Sequence, residues 1–121
     1  MPEEDRKQIG LTDNGKAAVA RLTDELGWFD EGQDAGRFAL AYAIRAGLEP
    51  GQTKAPVDTR WTPSLFDPTG EMGALLRAIY PDTTMPIRLM EYLIDEGLRR
   101  IAVQIQDGDA DPTALLGDPP G

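Results

Sequence analysis

The sequence predicts a mostly α protein that opens with one short β-strand and two helices and closes with two more helices. Three observations predict it. Residues 6–12 alternate in polarity, with Ile9 and Leu11 to one side and Gln8, Gly10 and Thr12 to the other, as in a strand with one buried face. Ile87, Met90, Ile94, Leu98, Ile101 and Ile105 recur every three or four residues, the period of a helix that buries one stripe. Between them, Phe38–Ile44 is an unbroken run of seven apolar residues. A helix apolar on nearly every face needs cover on every side.

The elements follow in order. Thr12 or Asp13 can cap a first helix by accepting its free N–H groups. Val19, Leu22 and Leu26 form its apolar stripe, and Gly27 suits the left-handed residue that ends it. Trp28 and Phe29 make an apolar elbow. Asp30 is the expected cap of a second helix, with Glu31 and Asp34 favoured by the positive end of its dipole. That helix runs to Leu48, where Gly47 and Pro50 stop it. Residues 50–70 hold four prolines together with Trp61, Leu65 and Phe66, which suggests an ordered arm lying on the core. Met72, Leu75, Leu76 and Ile79 mark a short helix halted by Pro81. Thr84 or Asp82 is the expected cap of the last helix, with Pro86 in its first turn. The expected organisation is thus a module at 1–49, the arm at 50–70, a helical pair at 71–106 and an acidic, flexible tail at 107–121.

Composition excludes whole classes of chemistry. The 121 residues contain no Cys and no His, so thiol nucleophiles, disulfides, imidazole bases and thiolate or imidazole zinc sites are out. Twelve Lys+Arg stand against 21 Asp+Glu, a net charge of −9. Such a surface repels nucleic acid or attracts basic partners, unless a salty cytosol screens it. The start, Met-Pro-Glu-Glu-Asp, is no secretory signal, and no stretch is long and apolar enough to span a bilayer. A cytoplasmic protein with no membrane partner is expected.

The motifs that could carry chemistry have plainer readings. Gly10–Lys16 fits most of a phosphate-binding loop, but Ala17 stands where the magnesium-binding hydroxyl belongs. A strand, a cap and a helix start explain it better. Asp107, Asp109 and Asp111 have the alternate spacing of a calcium loop, yet Pro112 occupies the position of its turn glycine. Glu91, Asp95 and Glu96 are carboxylates on one helix, interleaved with Arg99 and Arg100, the pattern of a wet helix face rather than a hydrolase pair. Tyr42, Tyr80 and Tyr92 sit in apolar patterns and read as packing residues. No catalytic residue, metal or cofactor is expected.

The strand and the second helix pose a joint problem. A lone short strand needs a pairing partner, and one small chain rarely hides a helix on all sides. Two copies that pair their strands antiparallel and pack their second helices would solve both. In this, Gln8-Ile-Gly-Leu-Thr12, the stripe Val19/Leu22/Leu26, Gly27 and the run Phe38–Leu48 resemble the ribbon-helix-helix fold. The resemblance implies a homodimer or higher homo-oligomer with Ile9, Leu11, Phe38, Leu40, Tyr42 and Ile44 at its interface. It also implies a two-stranded ribbon offering Arg6, Gln8 and Thr12 to the major groove of duplex DNA, with Lys7 and Lys16 near phosphates. Against this, residues 1–49 carry six Lys/Arg and ten Asp/Glu, and DNA affinity comes largely from neutralising phosphates.

Over the whole length, the order of this start, the helix Phe-Ala-Leu-Ala-Tyr-Ala-Ile-Arg-Ala-Gly-Leu, the Pro-rich connector with Trp61 and the late helix Met-Glu-Tyr-Leu-Ile-Asp-Glu-Gly-Leu-Arg-Arg-Ile resembles small accessory proteins of DNA phosphorothioation (dnd) systems. The resemblance implies a non-enzymatic, DNA-associated or regulatory role in prokaryotic DNA modification and defence. The other expectation is an antitoxin-like or scaffold-like subunit that leaves DNA alone. In it the acidic surface and the helix from Ile87 to Ile105 hold a basic protein partner.

Overall fold

A computed structural model of the chain describes residue 5, residues 7–51, residue 53 and residues 57–106. The expected tail, with its calcium-like aspartates, and Arg6 lie outside the described residues. The class is as predicted: mostly α, a short strand first and helices after it. The strand, β1 (Ile9–Leu11), leads into α1 (Asp13–Ala20), which continues through a wider π-helical turn over Arg21–Glu25. Gly27, at φ +65°, ends the turn in the left-handed conformation. Next come α2 (Gly32–Arg45), a second strand β2 (Asp58–Trp61), the one-turn α3 (Pro63–Phe66), α4 (Glu71–Ile79) and α5 (Pro86–Gln106).

The pairing partner of β1 corrects the expectation. β1 pairs antiparallel with β2 of the same chain, Ile9 opposite Trp61 and Leu11 opposite Asp58, with a bulge between Ile9 and Gly10. The segment read as a Pro-rich arm therefore supplies the missing strand. Trp61 explains why it binds there. It is 5% exposed, its ring lies 5.3 Å from that of Phe66, and a side chain on Gly36 would collide with it. Burying two such aromatics anchors the segment more firmly than strand hydrogen bonds alone.

The second helix is covered from within. Ala35, Ala39 and Ala43, spaced four apart, are all 0% exposed. α2 packs chiefly on α5, and Gly97 of α5 approaches so closely that a Cβ there would overlap the Ala39 carbonyl oxygen. Small residues on both helices permit this crossing. α5 is in turn the central helix of the core: Met90, Leu93, Ile94, Leu98 and Ile101 are fully buried. Its apolar stripe is therefore committed inside the chain.

The helix caps differ from expectation in an instructive way. Glu31, not Asp30, precedes α2, without a side-chain cap bond. The first turn of α5 has an acceptor from far away in the sequence. The Asp5 carboxylate accepts from the Ile87 and Arg88 N–H groups at 2.9 Å each, tying the chain's start to its last helix. On α4 the apolar side splits: Leu76 is buried, while Leu75 and Ile79 are 48% and 42% exposed. No helix among the described residues is long and apolar enough to cross a membrane.

Candidate functional site

The residues expected to meet DNA are not gathered on one open face. Thr12 is 5% exposed and works for the fold. Its hydroxyl donates to Asp95 Oδ1 at 2.6 Å, and its oxygen accepts from the Gly15 N–H at 3.1 Å. Lys16 lies against two carboxylates, hydrogen-bonding Asp58 and reaching Asp13 at 3.3 Å. The bond to Asp58, then that to Asp13, pushes the Lys16 ammonium pKa up, and the same Lys16 bond pulls Asp58 below its ordinary value. Lys16 is thus a partnered cation. Lys7 is exposed and Gln8 half-buried.

The carboxylates read as a wet helix face behave differently. Glu91 and Asp95 are 2% and 5% exposed. Glu91 accepts from the Gly10 N–H at 2.8 Å, and Asp95 accepts from the Thr12 N–H at 3.3 Å as well as from the Thr12 hydroxyl. These two side chains reach from α5 to backbone N–H groups of the β1 segment. Pairing across a dimer would have to displace them. A buried carboxylate is stable only when paired or hydrogen-bonded in this way.

The same contacts settle the loop that resembled a phosphate cradle. Asp95 occupies the N-terminal end of α1, where an anion would sit. A Cβ on Gly15 would come within 2.6 Å of Asp95 Oδ1, so this glycine makes room for an internal carboxylate. At the start of α2, Arg37 is similarly spent. It bonds Asp34 at 2.9 Å and the Phe66 and Leu65 carbonyls at 3.0 Å each.

The residues expected at a dimer interface lie largely inside the single chain. Ile9 and Leu11 are 0% exposed, Leu40 2% and Tyr42 9%, while Phe38 and Ile44 are half-buried. The first four have almost no surface left to share with a second copy. The tyrosines are packing residues with satisfied hydroxyls at two positions. Tyr42 accepts from Gln104 at 2.9 Å, and Tyr80 donates to the Leu48 carbonyl at 2.8 Å. Burial pushes the Tyr80 phenol pKa up.

What sequence reasoning missed is a groove of about 610 Å³ between α1 and α5. Arg21, Arg99 and Arg100 line it, with Glu96 as its one carboxylate. Glu96 lies 3.0 Å from Arg99 Nη1 and 3.7 Å from Arg100 Nε. Arg21 Nη1 lies 3.6 Å from Glu25, and its buried Nε–H finds no acceptor among the described residues. Ala17, Ala102 and Val103 add apolar wall, and Val103 is 56% exposed. The Arg99-Arg100 doublet was visible in the sequence. That the π-helical turn after α1 would bring Arg21 beside it was not. Among the described residues no group of three or more carboxylates is placed to hold a metal ion.

No protein-family model matches the chain, and neither curated proteins nor solved structures yield a significant match.

Proposed function

We propose that the chain is a non-enzymatic accessory protein that works in the cytoplasm by binding, as an interaction subunit rather than a reader of duplex DNA through its first strand. The resemblance to accessory proteins of DNA phosphorothioation systems supplies the setting, a prokaryotic DNA modification or defence assembly. The observation that carries this reading is the use of the strand itself. One side of β1 is taken by β2, and its Gly10 N–H is taken by Glu91. Thr12 is buried and Lys16 is paired. The groove between α1 and α5, by contrast, is open and lined by three arginines.

Association with DNA is the second reading, favoured by exposed Lys7 at the entry to β1. Titrating the protein into a labelled duplex at low and high salt separates the two. The interaction reading predicts no binding that depends on Lys7 and Gln8. Tight, salt-sensitive binding that is lost in Lys7→Ala/Gln8→Ala would return the ribbon reading, because phosphate contacts weaken steeply with salt.

A further inference from the structure

We propose that the groove between α1 and α5 docks an acidic, amphipathic peptide segment of a partner protein, its carboxylates held by Arg21, Arg99 and Arg100 and its apolar side chains seated on Ala17, Ala102 and Val103. The proposal rests on the interaction-subunit reading and adds the chemistry of the partner.

The groove inverts the charge of the chain around it. The chain carries −9, yet the groove places three arginines against one carboxylate. A guanidinium presents a planar fork that takes a carboxylate in two parallel hydrogen bonds. Glu96 keeps Arg99 and Arg100 aimed while the groove is empty of partner. Arg21 has only a long contact to Glu25, at 3.6 Å, so the exposed end of its fork is under-used.

Shape and polarity point the same way. A groove of about 610 Å³ has room for a few side chains, within the usual range of binding clefts. Its walls are partly aliphatic, and Val103 at the rim is the most exposed large hydrophobic among the described residues. A sugar–phosphate backbone gains nothing from aliphatic walls. A duplex needs many neutralised phosphates to bind. A peptide needs two or three carboxylates and one or two leucines.

The probe is a short capped peptide of glutamates interrupted by leucines, titrated into the full chain while the arginine Nε–Hε signals are followed by NMR. The expected result is saturable shifts of the Arg21, Arg99 and Arg100 signals, binding that weakens as salt rises, and a loss of about tenfold or more in Arg99→Glu/Arg100→Glu. Both arginines are about half exposed, so the variant should keep its fold, which its amide spectrum checks. Arg99→Gln/Arg100→Gln, expected to lose affinity in the same direction, serves if charge reversal unfolds the chain. Unmoved arginine signals at saturating peptide, or equal affinity in a folded double variant, would overturn the groove assignment. If the peptide then binds elsewhere, the interaction-subunit reading survives. A short duplex that displaces the peptide from the same arginines and binds more tightly would overturn the peptide class, and with it the preference for a protein partner.

Discussion

Removing the Asp95 carboxylate should cost more stability than any surface substitution on α5. Asp95 accepts the Thr12 hydroxyl at 2.6 Å and the Thr12 N–H at 3.3 Å, and the same hydroxyl oxygen caps α1 through Gly15. Asp95→Ala therefore removes a charged acceptor, orphans two donors in a site only 5% exposed, and loosens the cap. Hydrogen bonds to charged groups contribute about 1.5–3 kcal/mol, and a buried donor left without a partner costs a similar amount. The long 3.3 Å contact is discounted. The expected loss is about 3 kcal/mol. For a domain of this size that lowers the melting temperature by roughly 10 °C. Asp95→Asn keeps an oxygen where Oδ1 sits and should lose only about 1 kcal/mol. Urea and thermal unfolding followed by circular dichroism read both values. Amide exchange at Thr12 and Gly15 should accelerate in Asp95→Ala before exchange elsewhere does. A stability within about 0.5 kcal/mol of the parent, the range of ordinary surface changes, would refute the claim that this carboxylate ties α5 to the start of the chain.

Three further predictions follow from the packing. Gly97→Ala drives a methyl into the Ala39 carbonyl and should cost about 3 kcal/mol by forcing α2 from α5, read as a lower midpoint in urea. Trp61→Ala removes the ring that holds β2 against Phe66 and Gly36 and should cost about 3–5 kcal/mol, with the β1–β2 amides losing exchange protection first. Tyr80 has a folded pKa raised by burial, so its contribution is fully present below the ordinary phenol pKa and is lost as pH climbs through the folded value. Tyr80→Phe should accordingly lose about 1 kcal/mol at neutral pH, from the bond to the Leu48 carbonyl, and flatten the decline of stability in alkali, as measured by melts across that range.

The helices were legible because their signals are local. Period and breakers placed α1, α2, α4 and α5 close to their observed ends, and Gly27 and Gly47 both adopt the positive φ expected of helix-ending glycines. The second strand was not legible. Asp58–Trp61 has one buried residue out of four, so it carries no apolar alternation, and prolines on either side disguise it as a loop. The roles of Glu91 and Asp95 were hidden for a different reason. Carboxylates at i and i+4 near two arginines look like a solvated face, and only the tertiary arrangement brings Gly10 and Thr12 beneath them. Missing the strand led directly to the inference of a second copy. An unpaired strand and an uncovered helix call for a partner, but the chain supplies β2 for the one and α5 for the other. The Asp5 cap belongs with these, since it joins residues 82 apart in sequence.

The whole fold depends on β1 completing its pairing within its own chain. This pairing is tested most directly by isotope-filtered NOE measurements on a sample mixing labelled and unlabelled protein. Intrachain contacts are expected from Gly10 to Thr59 and from Leu11 to Asp58, with none between the first strands of two copies. Interchain contacts between Ile9–Leu11 of one copy and Ile9–Leu11 of another would contradict it.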